Sequence, residues 1–329
     1  MRKRVLAALL ALLLGVAAAG RPAHAEKTSG VGYYFDTVIT LTLYDAEPGL
    51  LDELWAMCKG YEELLSKTVE GSDVDRINRA EGVPVAVSAE TMEILRTARA
   101  VHDASGGAFS ITLAPVIALW DFTGGTNRMP TEQELAETLP LVDDSRIVLG
   151  DDGTVTLPAG MQIDLGGIAK GYIADKGAAL ARGRCTGAVL NFGGNVYTVG
   201  RKPDGSGFNV GIRDPQGPEG SSKYVLRTQD GTVVTSGIYE RYFELDSVRY
   251  HHILDPKTGV SSMSDLASAT VVCGSSMLAD AVATACIVLG CRDALVLLNS
   301  LELDGLLITR DGEAYVTPDF IEKWQLRSV

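Results

Sequence analysis

From Tyr33 to Tyr44 the chain reads YYFDTVITLTLY, with apolar and polar positions alternating and β-branched and aromatic residues dominant, which predicts a strand. The period then lengthens. In PGLLDELWAMCKGYEELLSKT (Pro48–Thr68) apolar residues recur every three or four positions behind acidic residues near the start. SAETMEILRTARAVHDASGG (Ser88–Gly107) repeats the helical pattern, with Ser88 placed as a cap and Gly106 as a stop. TEQELAETLPLV predicts a short third helix. From RIVLGDDGTVTLPAGMQIDLGG onward, short strands joined by Gly and Asp turns take over, interrupted by one helix, IAKGYIADKGAALARG. GAVLNFGGNVYTVG, GFNVGIRDP, SKYVLRTQDGTVVTSG and ERYFELDSVRYHHIL all predict strands. An alanine-rich helix (Ser275–Gly290), a further helix (CRDALVLLNSL) and a strand pair (DGLLITRDGEAYVT) close the chain. Strands outnumber helices and mostly follow one another through short turns. That predicts an α+β fold, antiparallel sheets with packed helices, over a doubly wound parallel sheet. No repeat at a fixed period, low-complexity linker or composition break divides residues 26–329, so a single domain is expected.

The first residues follow a different logic. A basic start (MRKR), an unbroken apolar run (VLAALLALLLGVAAA) and small residues around Ala23–Ala25 have the layout of a secretory signal peptide over residues 1–25. The run is about 15 residues, short of the roughly 20 that span a bilayer. A retained N-terminal anchor is the alternative, and no cysteine near the cleavage point supports a lipoprotein anchor. The mature protein is expected outside the cytoplasm, periplasmic or secreted, with no stable membrane span. The formal charge of −13 becomes more negative once Arg2, Lys3, Arg4 and Arg21 are removed. So acidic a chain is a poor nucleic-acid binder, and a phosphorylated ligand would need a local positive element or a metal. Five cysteines without zinc-ribbon spacing predict mostly buried free thiols and at most one disulfide.

Four segments could carry chemistry. DLGGIAKG (Asp164–Gly171) is predicted as strand, double glycine and helix start, a geometry that can aim backbone N–H groups at an anion, with Lys170 to neutralise a phosphate. It is not a P-loop, because Tyr172 stands where lysine is required; a plain glycine turn with a solvated lysine is the competing possibility. Gly193–Gly194 suggests a bulge or a close backbone approach. In TSGIYERYFELDSVRYHHILDPKTG, Thr235 and Ser236 precede a glycine and Glu240 could pair with Arg241. Of the adjacent His251 and His252, at most one can face a cleft, as a base or simply as a histidine satisfied by backbone. Asp280 and Thr284 lie at i and i+4 on a predicted helix, a hard-oxygen pair suited to Mg²⁺. They could equally be a buried aspartate capping a neighbouring loop and a threonine bonded back into its own helix.

Together and in this order, DLGGIAKGYIAD, NFGGN, TSGIYERYF, HILDPKTG and LADAVATA resemble the ApbE family, the FAD:protein FMN transferases, as does GGAFSITLAPVIALWDF ahead of them. The likeness runs from about Tyr34 to the C-terminus. It implies a T-fold-related α+β structure and an Mg²⁺-dependent transfer of the FMN half of FAD onto a Thr (or Ser) of an acceptor flavoprotein, with release of AMP. It also implies that Asp164 and Lys170 contact FAD, that Asp280, Thr284 and the Gly167 backbone hold the metal, and that His252 lies beside the phosphates. Phe35, Ala108, Phe109, Ser110 and Ile253 would line the FAD cleft. Asp280 and His252 are then the catalytic candidates. The chain departs from the family at Ser110, usually aspartate, at Ala114, usually glycine, and near Thr68, where a common aromatic residue is missing. An FAD pyrophosphatase giving FMN and AMP, or a non-catalytic FAD carrier, are the rival expectations.

Overall fold

The computed structural model describes residues 26–122, 127–246 and 248–329; the expected signal peptide lies outside them. At its centre is an eight-stranded sheet whose strands run across it in chain order: β1 Lys27–Tyr34, β2 Thr37–Tyr44, β3 Gly187–Phe192, β4 Asn195–Gly200, β5 Gly231–Gly237, β6 Leu266–Cys273, β7 Asp304–Thr309 and β8 Ala314–Val316. Every neighbouring pair is antiparallel. Most of the remaining chain is inserted between these strands. Between β2 and β3 come helices α1 (Leu50–Leu65), α2 (Asp73–Asn78), α3 (Ala89–Ala104), α4 (Ala114–Trp120), α5 (Glu132–Thr138) and α6 (Ala169–Ala181); between β6 and β7 come α7 (Ser276–Leu289) and α8 (Cys291–Ser300).

Alternation along the strands assigns the two faces of the sheet. Val234, Ala269, Val271 and Leu307 point into the main core, which they share with the helices. Their neighbours Val233, Val272, Leu306 and Ile308 point the other way, onto Val210, Ile212 and Leu226 of a three-stranded sheet formed by Phe208–Arg213, Ser222–Thr228 and Arg327–Ser328. Helix α7 is alanine-rich because it lies between the sheet and α6: Ala279, Ala281, Ala283 and Ala285 are all fully buried. A third apolar cluster joins α4 and α5 to a two-stranded hairpin, Tyr242–Leu245 with Val248–His251, through Trp120, Phe243 and Tyr250.

Several local expectations are corrected. Tyr33–Tyr44 is a hairpin, not one strand. It reverses at Phe35 and Asp36, both at positive φ (55° and 53°), the two-residue turn whose twist matches its strands. Unbroken β-type residues and the lack of Gly or Asn hid the reversal; Glu62 Oε1 accepting from Phe35 N at 2.7 Å helps to hold it. Gly193–Gly194 is likewise a hairpin turn, joining Phe192 to Asn195 with φ of 62° and 99°, and not a bulge. A Cβ at Gly193 would lie 2.2 Å from Thr37 Oγ1, so glycine there lets two strand ends meet. Gln162–Leu165 pairs with no strand. Its backbone is held by the Asn78 amide, which accepts from Ile163 N at 2.7 Å and donates to Ile163 O at 3.0 Å, and by Ile111 O, which accepts from Asp164 N at 2.8 Å. Strand β6, LASATVVC, was not foreseen, because a strand covered on both faces need not alternate.

Candidate active site

The turns Phe35–Asp36 and Gly193–Gly194 and the end of β5, Thr235–Gly237, sit at one end of the large sheet. The segment DLGGIAKG and helix α7 meet there. Gly171 shows why α6 comes so close: a Cβ on it would fall 2.2 Å from Ser276 O, so the two helices touch backbone to backbone. Gly171 N donates to Asp280 Oδ2 at 3.0 Å. Neither Gly166 nor Gly167 has a positive φ, so the turn does not need glycine for its conformation. At Gly167 the missing side chain matters for access instead: a Cβ would lie 3.2 Å from Phe109 and 3.8 Å from Thr284 Oγ1.

Lys170 is not solvated surface. Its ammonium donates to Gly166 O at 2.6 Å and stands 3.5 Å from Asp280 Oδ2. Asp280 is only 3 % exposed, and both of these protein contacts fall on the same carboxylate oxygen. Thr284 Oγ1 donates back to Asp280 O at 3.1 Å and lies 3.4 Å from Ser236 Oγ on β5. Asp280 thus does bond a neighbouring segment and Thr284 its own helix, yet the two still present a buried carboxylate and paired hydroxyls to one spot. Asp164 accepts from Gly166 N at 2.7 Å and is bridged by Lys67 at 2.7 Å.

His252 follows the hairpin directly, and its backbone N donates to Arg241 O at 3.0 Å. Its Nδ1 is buried with no hydrogen-bond partner among the described residues. Burial, reinforced by the nearby Arg241, His251 and Lys170 charges, pushes its pKa down to about 3. His252 is therefore a neutral imidazole at neutral pH and a weak base in this setting. His251 points away into the core, its Nε2 2.9 Å from Ser262 O, and burial lowers it to about 4. The expected Glu240–Arg241 pair does not form: Glu240 sits 3.4 Å from Arg213, while Arg241 donates to Asp36 O at 2.9 Å and so ties the Phe35 turn to the segment leading to His252.

The other candidates border this centre. Ala108, Phe109 and Ile253 bury their side chains in the main core. Ser110 donates to Asp144 Oδ1 at 2.5 Å, and the same buried carboxylate accepts from Ile111 N, Thr112 N and Thr112 Oγ1. Asp144 thus places a carboxylate against Ser110. Beside Ser110 opens a cavity of about 330 Å³, walled also by His102, Gly107, Asp143, Pro256 and Lys257; it does not reach Asp280 or Lys170. Lys67 and Asn78 were missed as site residues. Lys67 and Asn78 lie about 90 residues before DLGG, and only packing brings them to it.

The donor set fits a hard cation. No cluster of three or more His, Cys, Asp or Glu side chains suited to a metal occurs among the described residues, so a closed zinc-type site is not built here. One carboxylate, nearby hydroxyls and a glycine backbone do suit Mg²⁺, which needs few protein ligands because it keeps waters and takes phosphate oxygens. All five cysteines are free, and no helix among the described residues is long and apolar enough to cross a membrane.

The fold is thus α+β, with Lys170, Asp280, Thr284 and the Gly166–Gly167 backbone brought together at one end of its large sheet. The model of the ApbE family matches residues 35–307, and the chain belongs to that family. It is 33 % identical over 338 residues to an FAD:protein FMN transferase of Treponema pallidum (strain Nichols), covering 96 % of this chain and 93 % of the relative. A protein of the same name from Klebsiella pneumoniae (strain 342) is 33 % identical over 281 residues, covering 84 % and 87 %. The crystal structure of the ApbE protein of Thermotoga maritima superposes with a TM-score of 0.83 at 28 % identity, covering 90 % of this chain and 98 % of that one. Apo flavinyl transferase ApbE of Pseudomonas stutzeri does so at 0.81 and 27 %, covering 91 % and 97 %.

Proposed function

We propose that this protein is an Mg²⁺-dependent FAD:protein FMN transferase: it moves the FMN moiety of FAD onto a Thr (or Ser) hydroxyl of an acceptor flavoprotein and releases AMP. The observation that carries this is the meeting of Lys170, Asp280, Thr284 and the Gly166–Gly167 backbone at one sheet end. The T. pallidum and K. pneumoniae relatives, both FAD:protein FMN transferases, support it. In the step, the acceptor oxygen forms a bond to the FMN-side phosphorus, the phosphoanhydride bond to AMP breaks, and the hydroxyl proton leaves to a base or water. Asp280, Thr284 and the Gly167 backbone would hold Mg²⁺, which when bound offsets phosphate charge as a Lewis acid. Lys170 binds a phosphate oxygen and neutralises part of its charge. Asp164 accepts a hydrogen bond from the ligand once Lys67 yields it. His252, kept neutral, offers a nitrogen to a hydroxyl proton, and its low basicity makes it an orienting acceptor more than a strong base. Residues 26–329 act as one domain, exported behind the signal peptide of residues 1–25. Incubation with FAD and Mg²⁺, with and without a threonine-containing acceptor, tests this. Acceptor gaining the mass of FMN less one water, with AMP formed in equal amount, is expected. FMN and AMP released equally well without acceptor would make the protein a pyrophosphatase, and no turnover a carrier.

A further inference from the structure

Helices α6 and α7 meet in an antiparallel register with four-residue steps on both sides. Gly167 lies beside Thr284, Gly171 N donates to Asp280, and one turn further Asp175 reaches the start of α7. There its carboxylate accepts from Ser276 N at 2.6 Å, Met277 N at 3.0 Å and Ser275 Oγ at 3.0 Å. A helix start leaves backbone N–H groups without partners. The α7 start draws two of them to a carboxylate on another helix, while its own Ser275 hydroxyl serves Leu278 N. Burial pushes the Asp175 pKa up, against the three hydrogen bonds that hold the carboxylate charged. Burying a carboxylate is costly, whereas geometry fixed from outside α7 is a gain that a capping residue within α7 could not provide.

We propose that Asp175 is a positioning residue for the cation site: by clamping the start of α7 it sets the register that presents Asp280 and Thr284 to the Gly167 backbone. This rests on the metal assignment made under Proposed function. Asp175 itself touches neither ligand nor cation. Partners that orient a metal's ligands commonly change metal affinity about 10–100-fold when altered.

The test is Mn²⁺ titration of the purified protein, followed by electron paramagnetic resonance, for wild type, Asp175→Asn and Ser275→Ala. The Mg²⁺ dependence of transfer and a thermal melt are recorded alongside. Asp175→Asn is expected to stay folded, to bind Mn²⁺ about tenfold more weakly, and to need a matching rise in Mg²⁺ for half-maximal rate, with kcat at saturating Mg²⁺ within about twofold of wild type. Ser275→Ala, which removes one of the three contacts together with the cap on Leu278 N, should show a smaller shift in the same direction. It decides the matter if Asp175→Asn does not fold. Wild-type Mn²⁺ affinity in the folded variants would overturn the proposal. A wild-type protein that binds no Mn²⁺ would remove the metal assignment and this inference with it, a failure visible before any variant is compared.

Discussion

Lys170 is the residue whose surroundings most change its meaning. In sequence it is a lysine after two glycines; in the fold its ammonium is fixed between Gly166 O and Asp280. A lysine held by one carbonyl and one carboxylate is preorganised to receive a phosphate oxygen, at little cost in side-chain freedom. Charge-assisted contacts of this kind contribute about 1.5–3 kcal/mol, so Lys170→Ala should weaken FAD binding about tenfold or more while the melting temperature stays nearly unchanged. Calorimetric titration measures it, and wild-type affinity would show that the ammonium serves only Asp280. The neighbouring His252 teaches the converse. A histidine beside a glycine turn and a lysine suggests a base, but burial, with the Arg241 and Lys170 charges nearby, keeps it neutral down to about pH 3.

The pairing of α6 with α7 is the element on which the site depends. Gly171 permits backbone contact, and a methyl group there would meet Ser276 O and Met277 Cα. Gly171→Ala should therefore push the helices apart. Overpacking of this kind costs about 1–3 kcal/mol, and moving Gly171 N from Asp280 should lower transfer activity more than stability; a thermal melt and a rate assay on the same preparation test both. An unchanged melt would mean that the helix contact is looser than the structure gives. Helices α1, α3, α5, α6, α7 and α8 were legible in the sequence, because the spacing of apolar residues and a cap such as Ser88 are local signals, whereas the short α2 and α4 were not foreseen. So was the Asp280–Thr284 pair, a matter of helical spacing alone. Strand β6, the Phe35–Asp36 reversal and the irregular Gln162–Leu165 were not. Their form is decided by what covers them or by partners such as Glu62 and Asn78, far away in sequence. Lys67 and Asp144 stayed hidden for the same reason: their partners Asp164 and Ser110 are 97 and 34 residues away.

The assembled molecule has a pH dependence that no single element would show. His251 is fully buried, with a pKa pushed down to about 4, and His252 to about 3, against 6.5 for an unperturbed histidine. As pH falls below 6.5 the unfolded chain takes up protons on both, and the folded chain does not until near pH 4 and 3. Stability is therefore full above pH 6.5 and is lost as pH drops toward those values, by about 1.4 kcal/mol per pH unit for each such histidine. Asp175, raised by burial, acts in the opposite sense and offsets part of this loss. Chemical denaturation between pH 7.5 and 5 should show the decline, with a shallower slope in His251→Gln; an equal slope would mean that His251 titrates normally in the fold.

The proposed transfer turns on Asp280, the buried carboxylate at which α6, Lys170 and the end of β5 converge. In that reading, removing it takes away the carboxylate assigned to the divalent cation and should cost several kcal/mol of charge stabilisation in the transfer step. The decisive measurement is the intact mass of a threonine-containing acceptor after incubation with FAD, Mg²⁺ and either wild-type protein or Asp280→Ala. The wild type should add the mass of FMN less one water to the acceptor and form AMP, and folded Asp280→Ala should do neither while still binding FAD. Flavinylation by Asp280→Ala at close to the wild-type rate would contradict this assignment and leave Asp280 a structural residue of helix α7.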